Sequence, residues 1–303
     1  MLNQLKIDIV SDIHLEFINQ TMFIKNNGSD VLVLAGDIGL GLEFQTEDFV
    51  RDCCDQYDDV IYVLGNHEFY NSDITKVVEH WESIAEAIPN LHLLNNDVCY
   101  IKGVKFIGST LFSDIENNLS VEESIQIGKM ESKLNRARDS FGEAYVQLME
   151  RFPKGDYDLQ DVAMAVRKIQ RENLVELNDF NLISLDGEKI TLDDYKEKYD
   201  QCLKFIQKEL RKPYDKPQVL VTHYATMLES IAPEFEKSVF RPFFTTDLSE
   251  TLMQSNLDLI IHGHHHNYSK YTIDGKQFIC NPYADTHKPE NRTIVPECVT
   301  LSF

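Results

Sequence analysis

Apolar residues fall along this chain in short runs, each stopping at a polar or glycine-containing cluster. Leu5 to Val10 leads into Ser11-Asp12-Ile13-His14, Val31 to Leu34 into Gly36-Asp37, and Val60 to Leu64 into Gly65-Asn66-His67-Glu68. Aliphatic and β-branched runs bounded by Gly and Asp predict strands buried on both faces. Between them the periodicity turns helical over Glu47 to Gln56, and again over Ser72 to Ala87, where Val77, Val78, Trp81, Ile84 and Ala85 share a stripe. Further along, Gln218 to Thr222 and Leu257 to Ile261 read as strands that end in His223 and in His262-Gly263-His264-His265-His266. Two hairpins are expected, Val98–Ile101 with Val104–Ile107 about Lys102-Gly103, and Tyr271–Ile273 with Gln277–Cys280 about Asp274-Gly275. Strands alternating with helices predict an α/β layer architecture.

The stretch from about Ser113 to Lys216 has a different texture. It is dense in Glu, Lys, Arg, Gln and Leu at helical spacing, as in Met164, Val166 and Ile169 with Arg167, Lys168 and Arg171 between them. Gly142, Pro153 and Gly155 punctuate it, and Asp186-Gly187 interrupts it before a final helix near Leu192–Leu210. This stretch is expected to be a mainly helical insertion in one domain spanning residues 1–303. The basic residues at 167–171 read as a solvated helix face.

Composition changes this picture mainly by exclusion. The chain has 303 residues, 43% of them hydrophobic, and a formal net charge of −21. Such a charge opposes sequence-independent binding to duplex nucleic acid and attachment to anionic membrane. Residues 1–112 hold 18 acidic and 6 basic side chains, so the acid excess concentrates where the first three strand ends lie. The first 20 residues mix Lys6, Asp8, Asp12 and Glu16 into the apolar stretch, which does not read as a signal peptide. The six cysteines form no CxxC pair, and the vicinal Cys53-Cys54 reads as core packing. Reduced thiols and a cytoplasmic location are the expectation.

The strand ends carry the candidate chemistry. Asp12, His14, Asp37, Asn66, His67, His223, His264 and His266 offer imidazole and carboxylate donors without a thiolate, a set suited to Mn, Fe or Zn. Asp12 and His14 are two apart, as are His264 and His266, so on extended segments each pair would face one way and His265 the other. Taken singly, each residue has a plainer reading. Asn66 after Gly65 suits an Asx turn, His223 in an apolar strand suits a core histidine, and His262 and His265 suit supporting roles. His80, His92 and His287 belong to no cluster.

Asp12-Ile13-His14, Gly36-Asp37, Gly65-Asn66-His67-Glu68, Thr222-His223 and Gly263-His264-His265-His266 together resemble the five-block signature of the calcineurin-like metallophosphoesterases, in the family's order. The resemblance implies a two-sheet αββα sandwich flanked by helices. It implies one metal held by Asp12, His14 and His266, a second held by Asn66, His223 and His264, and Asp37 bridging both. The implied reaction is phosphoester hydrolysis, in which a hydroxide between the metals attacks phosphorus in line and His67 assists the leaving oxygen. Two divalent cations are expected, Mn first, with Fe, Zn or Ni possible for the same donors. The protein Ser/Thr phosphatase branch carries an Asp three positions after the bridging Asp, followed by Arg-Gly; here the stretch is Asp37-Ile38-Gly39-Leu40-Gly41. That argues against a protein phosphatase and leaves His67 without an evident partner. Cys280-Asn281-Pro282 and the opening Ser11-Asp12-Ile13-His14-Leu15-Glu16-Phe17 look most like the small prokaryotic and phage-type hydrolases of the superfamily. The expected substrate is a phosphodiester or a small nucleotide. Phosphomonoesterase, metal-dependent nuclease and non-catalytic scaffold are the alternatives, in that order. A nuclease needs a basic track that the composition does not supply. A scaffold is expected to have lost ligands, whereas every position here is filled.

Overall fold

The computed structural model describes residues 3–115, 175, 177–232, 241–283 and 293–303. The apolar runs become the central strands of two sheets. In the first, β1 (Gln4–Val10), β2 (Val31–Ala35), β3 (Asp59–Val63) and β4 (Leu91–Leu93) run parallel. In the second lie β5 (Asp97–Ile101), β6 (Val104–Ser109), β7 (Gln218–Thr222), β8 (Leu259–His262), β9 (Ser269–Ile273) and β10 (Lys276–Cys280). The strand β11 (Glu297–Ser302) then returns to the first sheet, antiparallel to β1. The sheet orders are β11-β1-β2-β3-β4 and β9-β10-β8-β7-β6-β5.

Alternation inside the apolar runs decides which side chain serves which interface. Ile7, Ile9, Val33, Ile61 and Val63 meet Phe106, Val219, Val221 and Ile261 between the sheets. Their sequence neighbours Leu32, Leu34, Val60 and Tyr62 face outward, under helices α1 (Phe44–Cys54) and α2 (Ile74–Ala87). Trp81 of α2 is fully buried there, with its ring edge-on to Tyr62 at 4.8 Å and its Nε1–H donating to the Gly41 carbonyl. Cys53 and Cys54 sit in this core, and all six cysteines are free thiols. The result is the two-sheet sandwich flanked by helices.

Helix α2 starts two residues later than the stripe predicts. Ser72–Asp73 forms a short strand against Ile183–Leu185, and the Asp73 carboxylate accepts the Thr75 N–H as a cap. The expected hairpins form, with positive φ at Lys102, Gly103, Asp274 and Gly275. Most of the expected insertion, including Gly142, Pro153, Gly155 and the basic run at 167–171, lies outside the described residues. Its described end comprises α3 (Asn178–Leu182), a small hairpin turning at Asp186-Gly187, and α4 (Leu192–Leu210), which lies against β6. Thr191 and Asp194 close a reciprocal capping box at the start of α4. Two short helices follow, α5 (Arg241–Phe244) and α6 (Ser249–Met253). Among the described residues no helix is long and apolar enough to cross a membrane.

Candidate metal centre

Parallel strands place their C-terminal ends on one edge, where ligands of open α/β sheets sit. Here two such edges face each other. Asp12, Asp37 and Asn66 follow β1, β2 and β3 of one sheet, while His223 and His264 follow β7 and β8 of the other. The backbone turns sharply at these ends, with φ of 52° at Asp12, 54° at His14, 53° at Asp37 and 64° at His264. Left-handed backbone at four non-glycine residues is stored strain of a kind that collects at functional sites. It also corrects the reason expected for Asp12 and His14. They converge through left-handed kinks, not by alternation along an extended strand.

Gly36 shows how tightly the sheets meet. It has φ of 86°, and a Cβ there would run into the His223 ring and the Gly65 amide. Gly36→Ala is therefore expected to cost about 2 kcal/mol of stability. Thermal unfolding of the metal-free protein should fall by several degrees; an unchanged midpoint would show that the two edges can part.

The donors gather into three overlapping groups whose ligand atoms lie within 4.8 Å of one another: Asp12, His14 and His266; Asp37, His223 and His264; and His14, Asp37 and His67. Asn66 joins the second, its Oδ1 lying 3.1 Å from His223 Nε2. All eight residues singled out from sequence are thus brought together. His262 and His265 are not: His262 Nδ1–H donates to the Gly263 carbonyl while its Nε2 faces the Ser230 hydroxyl, and His265 Nε2 pairs with Thr245 Oγ1. His80 and His92 pair with Glu47 and Asp59 away from the centre, and His287 lies outside the described residues.

Partners outside the groups fix which atom each side chain turns inward. The Nδ1–H of His223 donates to the Ala35 carbonyl at 3.0 Å, so Nε2 faces Asn66 Oδ1 and, at 3.3 Å, Asp37 Oδ2. The Asn66 amide donates to Asp179 Oδ1 at 2.9 Å and to Tyr70 Oη at 3.2 Å, which commits its nitrogen and leaves Oδ1 free. Asp179 is buried and also accepts the Tyr70 and Tyr224 hydroxyls. Glu68, fully buried, accepts the Asp37, Ile38 and Gly65 amides and the Tyr62 hydroxyl, which locks the β2 and β3 ends together. Asn281 does the same for β1, its carbonyl accepting the Ser11 amide and its own amide donating to the Ile9 carbonyl.

Glu16 supplies the partner that His67 lacks at Leu40. Its Oε1 lies 2.8 Å from His67 Nδ1 and 3.0 Å from His14 Nδ1. Asp179 lies in the region expected to be an insertion, more than a hundred residues from Asn66, and no local motif marks it. Glu16 carried a visible signal, two positions after His14 in the first block.

The charges are unevenly balanced. Burial pushes the Asp12 carboxyl up to about 6, His223 pulling it down and the Asp37 charge adding to the rise. Burial also acts to raise Asp37, but the His223 and His67 charges hold it well below the usual carboxylate range. Burial opposes the charge on His67 and His223, yet Asp37 in both cases, with Glu16 at His67, lifts each to about 9. Burial and then the His14 charge push His266 down to about 4.

These residues fit bound cations on their own geometry. His14 Nε2 and His266 Nε2 lie 3.1 Å apart, as do His223 Nε2 and Asn66 Oδ1, so in each pair two inward-facing ligand atoms lie within reach of one cation; without it a proton joins them, on His223 because Asp37 holds that ring charged. Asp12 Oδ2 and His264 Nε2 are buried with no hydrogen-bond partner. One such orphan belongs to each of the first two groups. On the solvent side Phe17 is 71% exposed, its ring 5.9 Å from that of His14 and 6.2 Å from that of His67, and the His266 side chain is half exposed.

Comparison with known proteins agrees with this architecture. A family model described as calcineurin-like phosphoesterase matches residues 5–268. A protein of Acanthamoeba polyphaga mimivirus, described as uncharacterized protein L509, is 27% identical over 305 residues, covering 93% of this chain and 92% of its own. Among solved structures, the phosphopantetheinyl hydrolase PptH from Mycobacterium tuberculosis superposes with a TM-score of 0.57 at 16% identity, over 95% of this chain and 94% of its own. At that identity the likeness shows the fold alone.

Proposed function

The chain belongs to the calcineurin-like phosphoesterase family of metal-dependent phosphoester hydrolases, and from that premise we propose that it is a dinuclear hydrolase of phosphodiesters or small nucleotide phosphoesters. The observation that supports the dinuclear reading is the pair of donor groups, Asp12-His14-His266 and Asp37-His223-His264, each of which holds one buried ligand atom without a hydrogen-bond partner. In this reading Asp12, His14 and His266 hold one cation, Asn66, His223 and His264 the other, and Asp37 belongs to both. When bound, the two cations lower the pKa of water towards about 7 and neutralise phosphoryl oxygens.

The chain's own residues do the rest. Asp179 and Tyr70 hold the Asn66 amide with Oδ1 inward, and Ala35 holds the His223 ring with Nε2 inward. His67 keeps Nδ1 on Glu16 and has Nε2 to give a proton to the leaving oxygen as it departs with the P–O electron pair. Among the described residues, the site carboxylates Asp12, Asp37, Glu16 and Asp179 meet imidazoles, amides and phenols. Manganese is the metal we propose first; the imidazole and carboxylate donors suit Fe, Zn and Ni as well.

The test is to strip the protein of metal, restore Mn²⁺, and compare bis-p-nitrophenyl phosphate with p-nitrophenyl phosphate. Turnover of the diester in excess of the monoester, with two metals per chain by mass spectrometry, is expected. A faster monoester rate would make it a phosphatase, and no turnover of either with any of the four metals would overturn the reading. Cleavage of single-stranded DNA or RNA at low salt would move it to the nucleases.

His67→Ala should keep both metals while slowing hydrolysis by about 100-fold for a poor leaving group such as phenol, and only several-fold for p-nitrophenol. Equal losses for both would remove His67 from the role of acid.

A further inference from the structure

Glu16 stands between two histidines that the proposed function gives different tasks. Its Oε1 lies 3.0 Å from His14 Nδ1 and 2.8 Å from His67 Nδ1, and the two rings meet edge-on with centroids 4.4 Å apart. An ionised carboxylate is acceptor-only, so both contacts are N–H donations and both rings keep Nε2 for the cleft. Glu16 is partly buried, its side chain 10% exposed, in a 3₁₀ turn, Leu15–Phe17, whose backbone is anchored by Leu15 N–H donating to the Ile38 carbonyl. Its other oxygen, Oε2, is buried without a partner, so the carboxylate is held by these two histidines. The His67 ring is clamped on its other side by Tyr70, stacked at 4.1 Å and 29°. Tyr70 fixes the plane of the ring, while Glu16 fixes its rotation about that plane.

We propose that Glu16 is the positioning residue for His67, a single carboxylate oxygen that couples the acid's orientation to that of the ligand His14. The inference rests on the phosphoesterase reading above for the task of His67, but the coupling itself is a property of the three side chains. A site in which the acid and a ligand share one acceptor cannot reorient one ring without disturbing the other.

The test uses the full chain and two variants, Glu16→Ala and Glu16→Gln. With Mn²⁺ restored, aryl phosphodiesters are compared across leaving phenols from p-nitrophenol to phenol. Glu16→Ala is expected to lose about 100-fold on the poorest leaving group and only several-fold on the best, reproducing the steeper slope of His67→Ala. Added to His67→Ala it should steepen the dependence on the leaving group no further, because that part of its effect runs through His67, and any remaining loss, through His14, should be the same for every member of the series. Glu16→Gln, which keeps a neutral acceptor, should recover part of the loss. Uniform slowing across the series by Glu16→Ala alone, or a double variant whose leaving-group dependence is steeper than that of His67→Ala, would overturn the assignment. A second readout needs no turnover: in metal-free protein the His67 Nδ1 proton should give a downfield NMR resonance, identified by its loss in His67→Ala. It should move upfield in Glu16→Ala. If the wild-type chain hydrolyses no member of the series while this resonance behaves as described, the phosphoesterase reading fails and the pairing stands. If the resonance is unmoved by Glu16→Ala, the pairing fails whatever the activity.

Discussion

Asp37→Asn should reduce hydrolysis by roughly 10³-fold or more and lower the metal content of the protein together with it. Asp37 Oδ2 lies 3.8 Å from His14 Nε2 and 3.3 Å from His223 Nε2, and among the described residues it is the carboxylate that appears with both histidines in donor groups. Its Oδ1 is engaged separately, accepting the His67 N–H at 2.9 Å. An asparagine can keep that bond and the side chain's shape. It cannot keep the charge, and it turns an N–H₂ towards one of the two groups. Losing several kcal/mol of charge stabilisation in the transition state corresponds to three powers of ten in rate. Turnover of bis-p-nitrophenyl phosphate and metal per chain after dialysis measure both effects. A variant that retains two metals and works within tenfold of the wild type would remove Asp37 from the centre of the proposal.

Glu68→Gln should cost about 3–5 kcal/mol of folding stability in the metal-free protein. Glu68 Oε2 accepts the Asp37 and Gly65 amides at 2.9 and 2.7 Å, and Oε1 accepts the Ile38 amide and the Tyr62 hydroxyl at 2.7 and 2.8 Å. Four donors converge on two oxygens at a fully buried position. Glutamine is the same size, but its amide end becomes a donor: turned towards Tyr62 it can still donate to the phenol oxygen, while the Ile38 amide loses its acceptor and meets a second amide hydrogen, so two buried donors are left unpaired. Each unpaired group costs about 1–3 kcal/mol. The denaturation midpoint of the metal-free chain reports this directly. The absence of metal matters, because it separates the scaffold's loss from any loss of ligand affinity. A midpoint within 1 kcal/mol of wild type, on the same principle, would mean that the β2 and β3 ends are not held by Glu68.

Both predictions concern residues that the sequence marks, yet only one of them for the right reason. Asp37 is legible because a strand must end before its side chain can turn into a cleft, and Gly36 next to it announces that end. The same logic exposes Asp12, Asn66, His223 and His264. Glu68 is equally visible in its block, but nothing in sequence says that it accepts four donors rather than serving the site itself. Glu16 is visible as a letter and silent as a partner, because its reach to His67 depends on left-handed turns at Asp12 and His14 that periodicity does not encode. Asp179 is the least legible. Its contact with Asn66 crosses 113 residues, and its own neighbourhood, Asn178–Leu182, is an ordinary short helix. The strands and hairpins are legible because alternation and Asp-Gly turns are local. The packing of one sheet on the other is not local, and the resemblance to a family supplies it.

The way the two sheets share the site also bears on how the chain folds and survives. The His264 amide donates to Asp12 Oδ1 across 252 residues of sequence, and His14 meets His266 across the same span. Contacts of such separation form late, since the loop they close must first lose its entropy. On the proposed ligand assignment, a chain still emerging from the ribosome holds no complete cation site until the residues beyond His266 have docked. Cations then bind the finished fold and not its precursors, and their binding draws the folding equilibrium forward by mass action, about 2.7 kcal/mol at a free concentration a hundred times Kd. Metal supply would thereby govern the lifetime of the protein as well as its turnover. A chain starved of cations opens more often to proteases, so inactive molecules are also the ones cleared first.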